Sequence, residues 1–276
     1  MSLVVNTNIA SLNAINKLNG TQKALGNTFA RISSGLRINK AADDAAGLAV
    51  SENLDAAARS LEAAKRNGND GISIIQTAEG AATEVTNIVK RMRELAVQSA
   101  SETLDDGERA YIQDEFLQLT GEVDRIAATT NFNGINLADG VDTTLDVQVG
   151  INDTVNDRIT IALGDLRAST LGIDSAGIDL SNAAGGQAAL TTLDAALDDL
   201  NGYRSNFGAI QNRLESSIRN IETYHENLVG ARSRIVDADF AAESANMAKY
   251  NVMSQAGTAI LGQANQISQG AVRLLG

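Results

Sequence analysis

The 276-residue chain contains no cysteine, no proline and no tryptophan, and one histidine, His225. Without cysteine there is no disulfide framework, no thiolate metal site and no thiol nucleophile. One histidine falls short of the paired spacings of zinc sites: His225-Glu226 lacks the second histidine of a zinc-protease helix. Serine–histidine chemistry would rest on His225 alone. Aromatic residues are 3% of the chain, too few for a cofactor pocket or a base-stacking surface. A net charge of -12 argues against a nucleic-acid partner. No stretch approaches the roughly 18 apolar residues of a membrane span, so no membrane insertion is expected. Residues 1–17 lack the basic, then continuously apolar, pattern of a secretory leader. No phosphate loop or calcium loop is complete. The chain is expected to be no enzyme, with no catalytic, metal or cofactor site.

What is present is unevenly placed. Residues 1–42 carry Lys17, Lys23, Arg31, Arg37 and Lys40 and no acid. Residues 235–276 carry Asp237, Asp239 and Glu243 against Lys249 and Arg273. The acidic excess therefore lies in residues 43–234, a well-solvated middle between two charge-poor ends. Segments that are buried against other chains are poor in charge.

Helical periodicity dominates the middle. From Leu190 the apolar positions run Leu193, Leu197, Leu200, Tyr203, Phe207, Ile210 and Leu214, then Ser217, Ile221, Tyr224, Leu228, Ala231 and Ile235. Their mean spacing of about 3.5 is that of a coiled coil and predicts one helix of roughly 65–70 Å. Ile72, Ile75, Ala78, Ala82, Val85, Val89, Met92 and Ala96 form a second run, reaching back through Leu61, Ala58 and Leu54. Ile112, Phe116, Leu119, Val123 and Ile126 form a third, separated from the second by Leu104-Asp105-Asp106-Gly107. The acids Asp43-Asp44 and Asp105-Asp106 suit helix starts, where the macrodipole favours negative charge.

Residues 131–170 change period. Asn131-Phe132-Asn133-Gly134 is a turn cluster; Leu145, Val147 and Val149, then Ile159, Ile161 and Leu163, alternate with polar residues. They predict a β-hairpin with a long loop at 150–157. Residues 169–186, rich in glycine, alanine, aspartate and serine, are expected to be irregular, ending at Gly185-Gly186 before the long helix.

Both ends read as helices. Ile9, Leu12, Ile15 and Leu18 lead into Leu25, Phe29, Ile32 and Leu36; Met253, Ala256, Ile260, Ala264, Ile267, Ala271 and Leu274 repeat every three or four residues. Gly20, Gly26, Gly257, Gly262 and Gly270 sit within them, each costing about 0.5–1 kcal/mol relative to alanine. Burial of such thin stripes does not offset the ordering entropy of some eighty residues, so the ends are expected to order when neighbouring copies cover them.

Five motifs carry a resemblance. They are Asn6-Thr7-Asn8-Ile9-Ala10-Ser11 with Ala30-Arg31-Ile32-Ser33-Ser34-Gly35-Leu36-Arg37-Ile38-Asn39 and Ala41-Ala42-Asp43-Asp44-Ala45-Ala46-Gly47-Leu48-Ala49; Arg91-Met92-Arg93-Glu94-Leu95-Ala96-Val97-Gln98-Ser99-Ala100; Asn131-Phe132-Asn133-Gly134; Ala231-Arg232-Ser233-Arg234-Ile235-Val236-Asp237-Ala238-Asp239-Phe240; and Gln255-Ala256-Gly257-Thr258 with Gln263-Ala264-Asn265-Gln266. In order and end to end, they resemble bacterial flagellin, in a short form lacking large variable outer domains. Ser268 stands where many flagellins carry proline.

The resemblance implies a mainly α fold: a long coiled-coil-like helical rod with a small β-hairpin region, the terminal helices pairing as an inner coiled-coil domain in the polymer. Residues 1–42 and 235–276 are then the two parts of the inner core domain, and 43–234 the outer rod-like domain. It implies a structural subunit of the extracellular flagellar filament for swimming motility. The implied core polymerisation residues are Ile9, Leu12, Leu25, Phe29, Ile32, Leu36, Met253, Ala256, Ile260, Ala264, Ile267, Ala271 and Leu274. The implied partners are other flagellin subunits, an export chaperone at the C-terminal segment, the flagellar type III export apparatus, the filament cap and hook-associated proteins, and a host Toll-like receptor. Arg91, Leu95 and Glu115 match positions for inter-subunit contact and receptor recognition. A hook–filament junction protein and a coiled-coil adhesin or signalling module are the alternatives.

Overall fold

Helix ends in the computed structural model, which describes residues 7–174 and 177–273, fall where the sequence supplies capping groups. The Asn8 side chain accepts the Ser11 amide at 3.0 Å and opens α1 (Ile9–Ser34). Gly35, at φ +72°, closes it in the left-handed conformation that only glycine adopts freely. Asp44 Oδ1 accepts the Gly47 amide at 2.9 Å as α2 (Ala45–Ser99) begins. Asp105 and Glu108 form a reciprocal capping box on α3 (Asp106–Thr129). Asp239 accepts the amides of Ala241 and Ala242 at the start of α5 (Phe240–Arg273).

The remaining long helix, α4 (Ala183–Val236), starts earlier than its sequence suggests. Gly185-Gly186 lies inside the first turn rather than before it. Asn182 Oδ1 accepts the Gly185 amide at 2.8 Å and sets the cap. A Cβ on Gly186 would stand 2.7 Å from the Ala100 amide nitrogen and 3.0 Å from the Ala96 carbonyl, so glycine here lets the turn lie on the end of α2. The pair that looks like a break is a close-packing site.

Two antiparallel hairpins follow α3. The first joins β1 (Asn131–Phe132) to β2 (Ile135–Asn136) through Asn133 and Gly134, at φ +50° and +82°, the signs a two-residue hairpin turn requires. The second pairs β3 (Thr144–Gln148) with β4 (Arg158–Ala162), Val147 opposite Ile159 and Leu145 opposite Ile161. Val147, Val149, Ile159, Ile161 and Leu163 are buried, as the period-two alternation predicted.

The chain divides into two compact units. The central one, Arg59–His225, has a continuous core: Ile75, Val85, Val89 and Met92 of α2, Phe116 and Val123 of α3, and Leu193, Leu200, Phe207 and Leu214 of α4. Residues 169–180 hold no helix or strand among the described ones, yet they are not a solvated loop. Leu171, Ile173, Ile178 and Leu180 are buried, and Ser99 Oγ donates to the Leu180 carbonyl at 2.6 Å while the Leu180 amide donates to Gln113 Oε1 at 2.7 Å. The terminal unit takes in α1, α5, the first turns of α2 and the last turns of α4.

Glycine sets how closely the second hairpin and α4 approach α2. A Cβ on Gly71 would lie 3.1 Å from Val147 Cγ2 and 3.3 Å from Leu214 Cδ1, whereas one on Gly80 would meet nothing within 4 Å. Gly71→Val is therefore expected to lose about 1–3 kcal/mol by overpacking. Gly80→Ala is expected to gain about 0.5–1 kcal/mol from a less flexible unfolded chain. Denaturant unfolding of the two variants checks both signs; equal effects would remove Gly71 from its packing role.

Candidate assembly surfaces

Helices α1 and α5 pack against each other in antiparallel order. Asn8 Nδ2 donates to the Ala264 carbonyl at 2.9 Å, Ser11 Oγ to Asn265 Oδ1 at 2.9 Å, and at the other end Arg31 Nη1 meets Glu243 Oε1 at 3.2 Å. The seam is made of small residues. Thr21, Thr28 and Ala264 are buried, and a Cβ on Gly257 would come within 3.1 Å of Leu18 Cδ1. Small side chains let two helix backbones approach, but they leave the bulky ones outside.

The apolar stripes are accordingly turned outward. Ile9 is 63% exposed and Phe29 64%, and Leu12, Met253 and Ile260 are exposed as well. Leu25, Ile32 and Leu36 are half-buried, Ala256 is exposed, and Ala264 alone of the ten predicted positions whose side chains are described is buried. Ile267 and Ala271 lie on α5, but their side chains, like all of Leu274, lie outside the described residues. An apolar groove of about 410 Å³ between the helices is lined by Ala14, Leu18, Met253, Ala256 and Ile260 among others. Uncovered apolar surface of this extent on a pair of helices marks an interaction face.

The links leaving these helices are tied together. The Ala238 amide donates to the Gly35 carbonyl at 2.9 Å and the Arg37 amide to the Val236 carbonyl at 2.6 Å, and the Arg37 guanidinium donates to the Ile235 carbonyl. Leu36 and Asp237 thus form an antiparallel bridge. Neither this bridge nor the Arg31–Glu243 pair follows from helical periodicity. Arg31 and Glu243 do stand out as charges within charge-poor ends, which is the signal that could have found them. Glu243 is buried, and losing one partner of such a pair strands the other.

On the central unit the structure brings Arg91 and Glu115 together. Arg91 Nε and Nη2 both donate to Glu115 Oε1, at 3.0 and 2.8 Å, and Nη1 donates to Glu94 Oε2 at 3.0 Å. The hydrogen bonds it donates to Glu115, then to Glu94, hold the Arg91 guanidinium above its ordinary pKa. Leu95 does not join them. It shares a face of α2 with Arg91 by spacing but is 1% exposed, packed into the core, and it offers no accessible contact. The inward face of α2 takes Met92, Leu95 and Ala96 together, at the three- and four-residue spacing of a helix stripe.

Other charges fix register. Arg93 Nε donates to Asp194 Oδ1 at 2.6 Å, Lys65 Nζ meets Glu222 Oε1 at 2.6 Å, and His225 Nε2 lies 3.3 Å from Glu62 Oε1. Lys65 and Arg93 are as far apart on α2 as Asp194 and Glu222 are on α4, so one antiparallel alignment satisfies both. Exposed pairs of this kind add little stability, being screened by solvent and salt. His225 is half-buried against Glu62. Arg109, 7% exposed, donates to the Ser99 carbonyl at 3.1 Å and the Ser101 carbonyl at 2.8 Å, closing the end of α2. Beyond β4, Asp165 accepts Arg167 Nη2 at 2.6 Å and Thr170 Oγ1 at 2.7 Å; the Arg167 guanidinium, foremost, lowers its carboxyl from 3.8 to about 2.

Among the described residues, no helix is long and apolar enough to cross a membrane. The profile of the bacterial flagellin N-terminal helical region matches residues 5–143, and that of the bacterial flagellin C-terminal helical region matches residues 190–275. Flagellin of Halalkalibacterium halodurans is 44% identical over 278 residues, spanning 99% of this chain and 100% of that protein. Flagellin of Bacillus subtilis is 42% identical over 303 residues, spanning 98% and 99%. The crystal structure of Bacillus cereus flagellin superposes with a TM-score of 0.50 at 31% identity, covering 56% of this chain and 88% of that one.

The Asp165 geometry sets an acid response. A carboxyl whose folded pKa lies below its unfolded value adds stability that is complete above about 4 and is lost as pH falls through about 2. An acid titration of unfolding should show this loss, and Asp165→Asn should start less stable and flatten the slope between those pH values. An unchanged slope would mean Asp165 is not held by Arg167.

Proposed function

The chain belongs to the bacterial flagellin family, and from that premise we propose how its parts serve the filament. The chain is a subunit of the flagellar filament and polymerises with its own kind. Neither a hook–filament junction protein nor a coiled-coil adhesin or signalling module is favoured, because the relatives matched over nearly the whole chain are flagellins and filament core proteins. Its role is structural, without catalysis.

The terminal parts, residues 1–42 and 235–276, form the inner domain and line the filament core, and residues 43–234 form the outer domain. The observation that carries this is the outward-turned set of Ile9, Leu12, Phe29, Met253 and Ile260, large apolar groups that their own chain leaves uncovered. Their burial in the filament supplies the ordering that a lone chain lacks. The same exposed α5 surface is what an export chaperone at the C-terminal segment would mask before passage through the type III apparatus. Growth then proceeds outside the cell beneath the cap, joined to hook-associated proteins. Arg91 and Glu115, accessible and joined, serve subunit contact and receptor recognition; Leu95 supports them from below.

Electron microscopy of purified chain seeded with filament fragments tests this. Long helical fibres are expected, and deletion of residues 1–30 or 250–276 should abolish growth while the central unit keeps its unfolding transition. A truncated chain that polymerises normally would overturn the assignment of the ends. For the receptor, Arg91→Ala should lower signalling by a Toll-like-receptor reporter about tenfold, in the range of a lost charged contact; unaltered signalling would remove that partner.

A further inference from the structure

The second hairpin carries unlike features at its two ends. At one end, Gly140 at φ +68° turns the chain so that Val141 stands 73% exposed. The turn is braced: Asp139 Oδ1 accepts the Val141 amide at 3.1 Å, Asn136 Nδ2 donates to Asp139 Oδ2 at 2.6 Å, and Asp139 bridges Asp165 across the backbone. A Cβ on Gly140 would lie 2.4 Å from Asp165 Oδ2, so glycine is needed for the turn to sit there. Beside Val141, the exposed Asp142 has no ion pair or side-chain hydrogen bond among the described residues. The result is a preformed apolar knob with a free carboxylate.

At the other end, beyond Gln148, lies a groove of about 540 Å³ between the 150–157 loop and α4. Its floor is apolar, with Leu61, Val149, Ile159 and Ile221. Its rim carries Arg213 and Asn220. Arg213 pairs with no carboxylate among the described residues, although Arg158, Arg167 and Arg219 in the same unit each do. The one carboxylate in the groove, Asp157, is engaged by the Thr154 hydroxyl.

Resting on the filament reading above, we infer that the knob of one copy seats in the groove of a neighbouring copy, Val141 against the apolar floor and the Asp142 carboxylate at the Arg213 guanidinium. The charges are complementary, and an exposed valine suits an apolar floor. Knob and groove lie at opposite ends of a five-residue strand pair, roughly 17 Å apart, so they do not meet within one molecule. A contact between two different patches is heterologous, and repetition without closure extends indefinitely, which is what a filament needs.

Two sets of variants of the full chain test it. Arg213→Glu and Asp142→Lys should each raise the concentration needed for seeded growth about tenfold, and the double variant should return to within about twofold of the unsubstituted chain. Because the chain has no cysteine, a Val141→Cys, Ser216→Cys double variant can be oxidised without competing thiols. Assembled filaments should then yield a ladder of cross-linked oligomers, well above either single variant. Normal growth of both charge variants, or a double-cysteine ladder no stronger than that of the singles, overturns the inference while leaving the filament reading intact. If the unsubstituted chain forms no filaments, that reading fails first and takes the inference with it.

Discussion

Two helices that meet through threonine, glycine and alanine leave their own chain no place to put Ile9, Leu12, Phe29, Met253 and Ile260. The seam between α1 and α5 brings the backbones close at Gly257 and Leu18, and that closeness turns the larger groups toward solvent. Apolar surface left in water costs roughly 25 cal/mol per Å², which favours covering it on association. The charge-poor composition of both ends fits the same constraint, since charges there would have to be desolvated when copies meet.

The central unit solves the opposite problem. Most of its large apolar residues find partners within the unit, Val141 and Val155 being exposed exceptions. Gly68 and Gly71 let α2 receive Ile218, Val147 and Leu214, so the second hairpin and α4 settle onto one helix without bulky side chains between. Ion pairs such as Arg93–Asp194 and Lys65–Glu222 add little energy but agree on one alignment of α2 and α4. A unit that is stable alone can carry ends that are not, and a subunit of a polymer uses both properties: a rigid body to be placed, and surfaces that become favourable only on placement.

Much of this was legible in the residues. The stripes from Ile72 to Ala96 and from Leu193 to Leu228 sit on α2 and α4, and the alternation around Val147 and Ile161 marks β3 and β4, because periodic burial writes itself directly into sequence. Gly185-Gly186 misled: glycine chosen for close approach looks the same as glycine chosen for a turn. Residues 169–180 are irregular, as their composition predicts, but their burial was not legible, since an irregular segment can be buried with no period to reveal it. At the assembly surfaces, spacing put Arg91 and Leu95 on one face, but only packing decides that Arg91 reaches Glu115 while Leu95 goes inward. The Arg31–Glu243 pair and the Leu36–Asp237 bridge join residues about two hundred positions apart, beyond the reach of any local pattern.

The central claim is that α1 and α5 lack enough internal burial to be stable until copies cover them. Amide hydrogen exchange, resolved along the chain and compared between dilute monomer and assembled filament, measures that directly. The account predicts that amides of α1 and α5 exchange rapidly in the monomer, while α3 and the central part of α4 are already protected, and that the terminal helices gain strong protection in the filament. Terminal helices as protected in the dilute monomer as in the filament would contradict it.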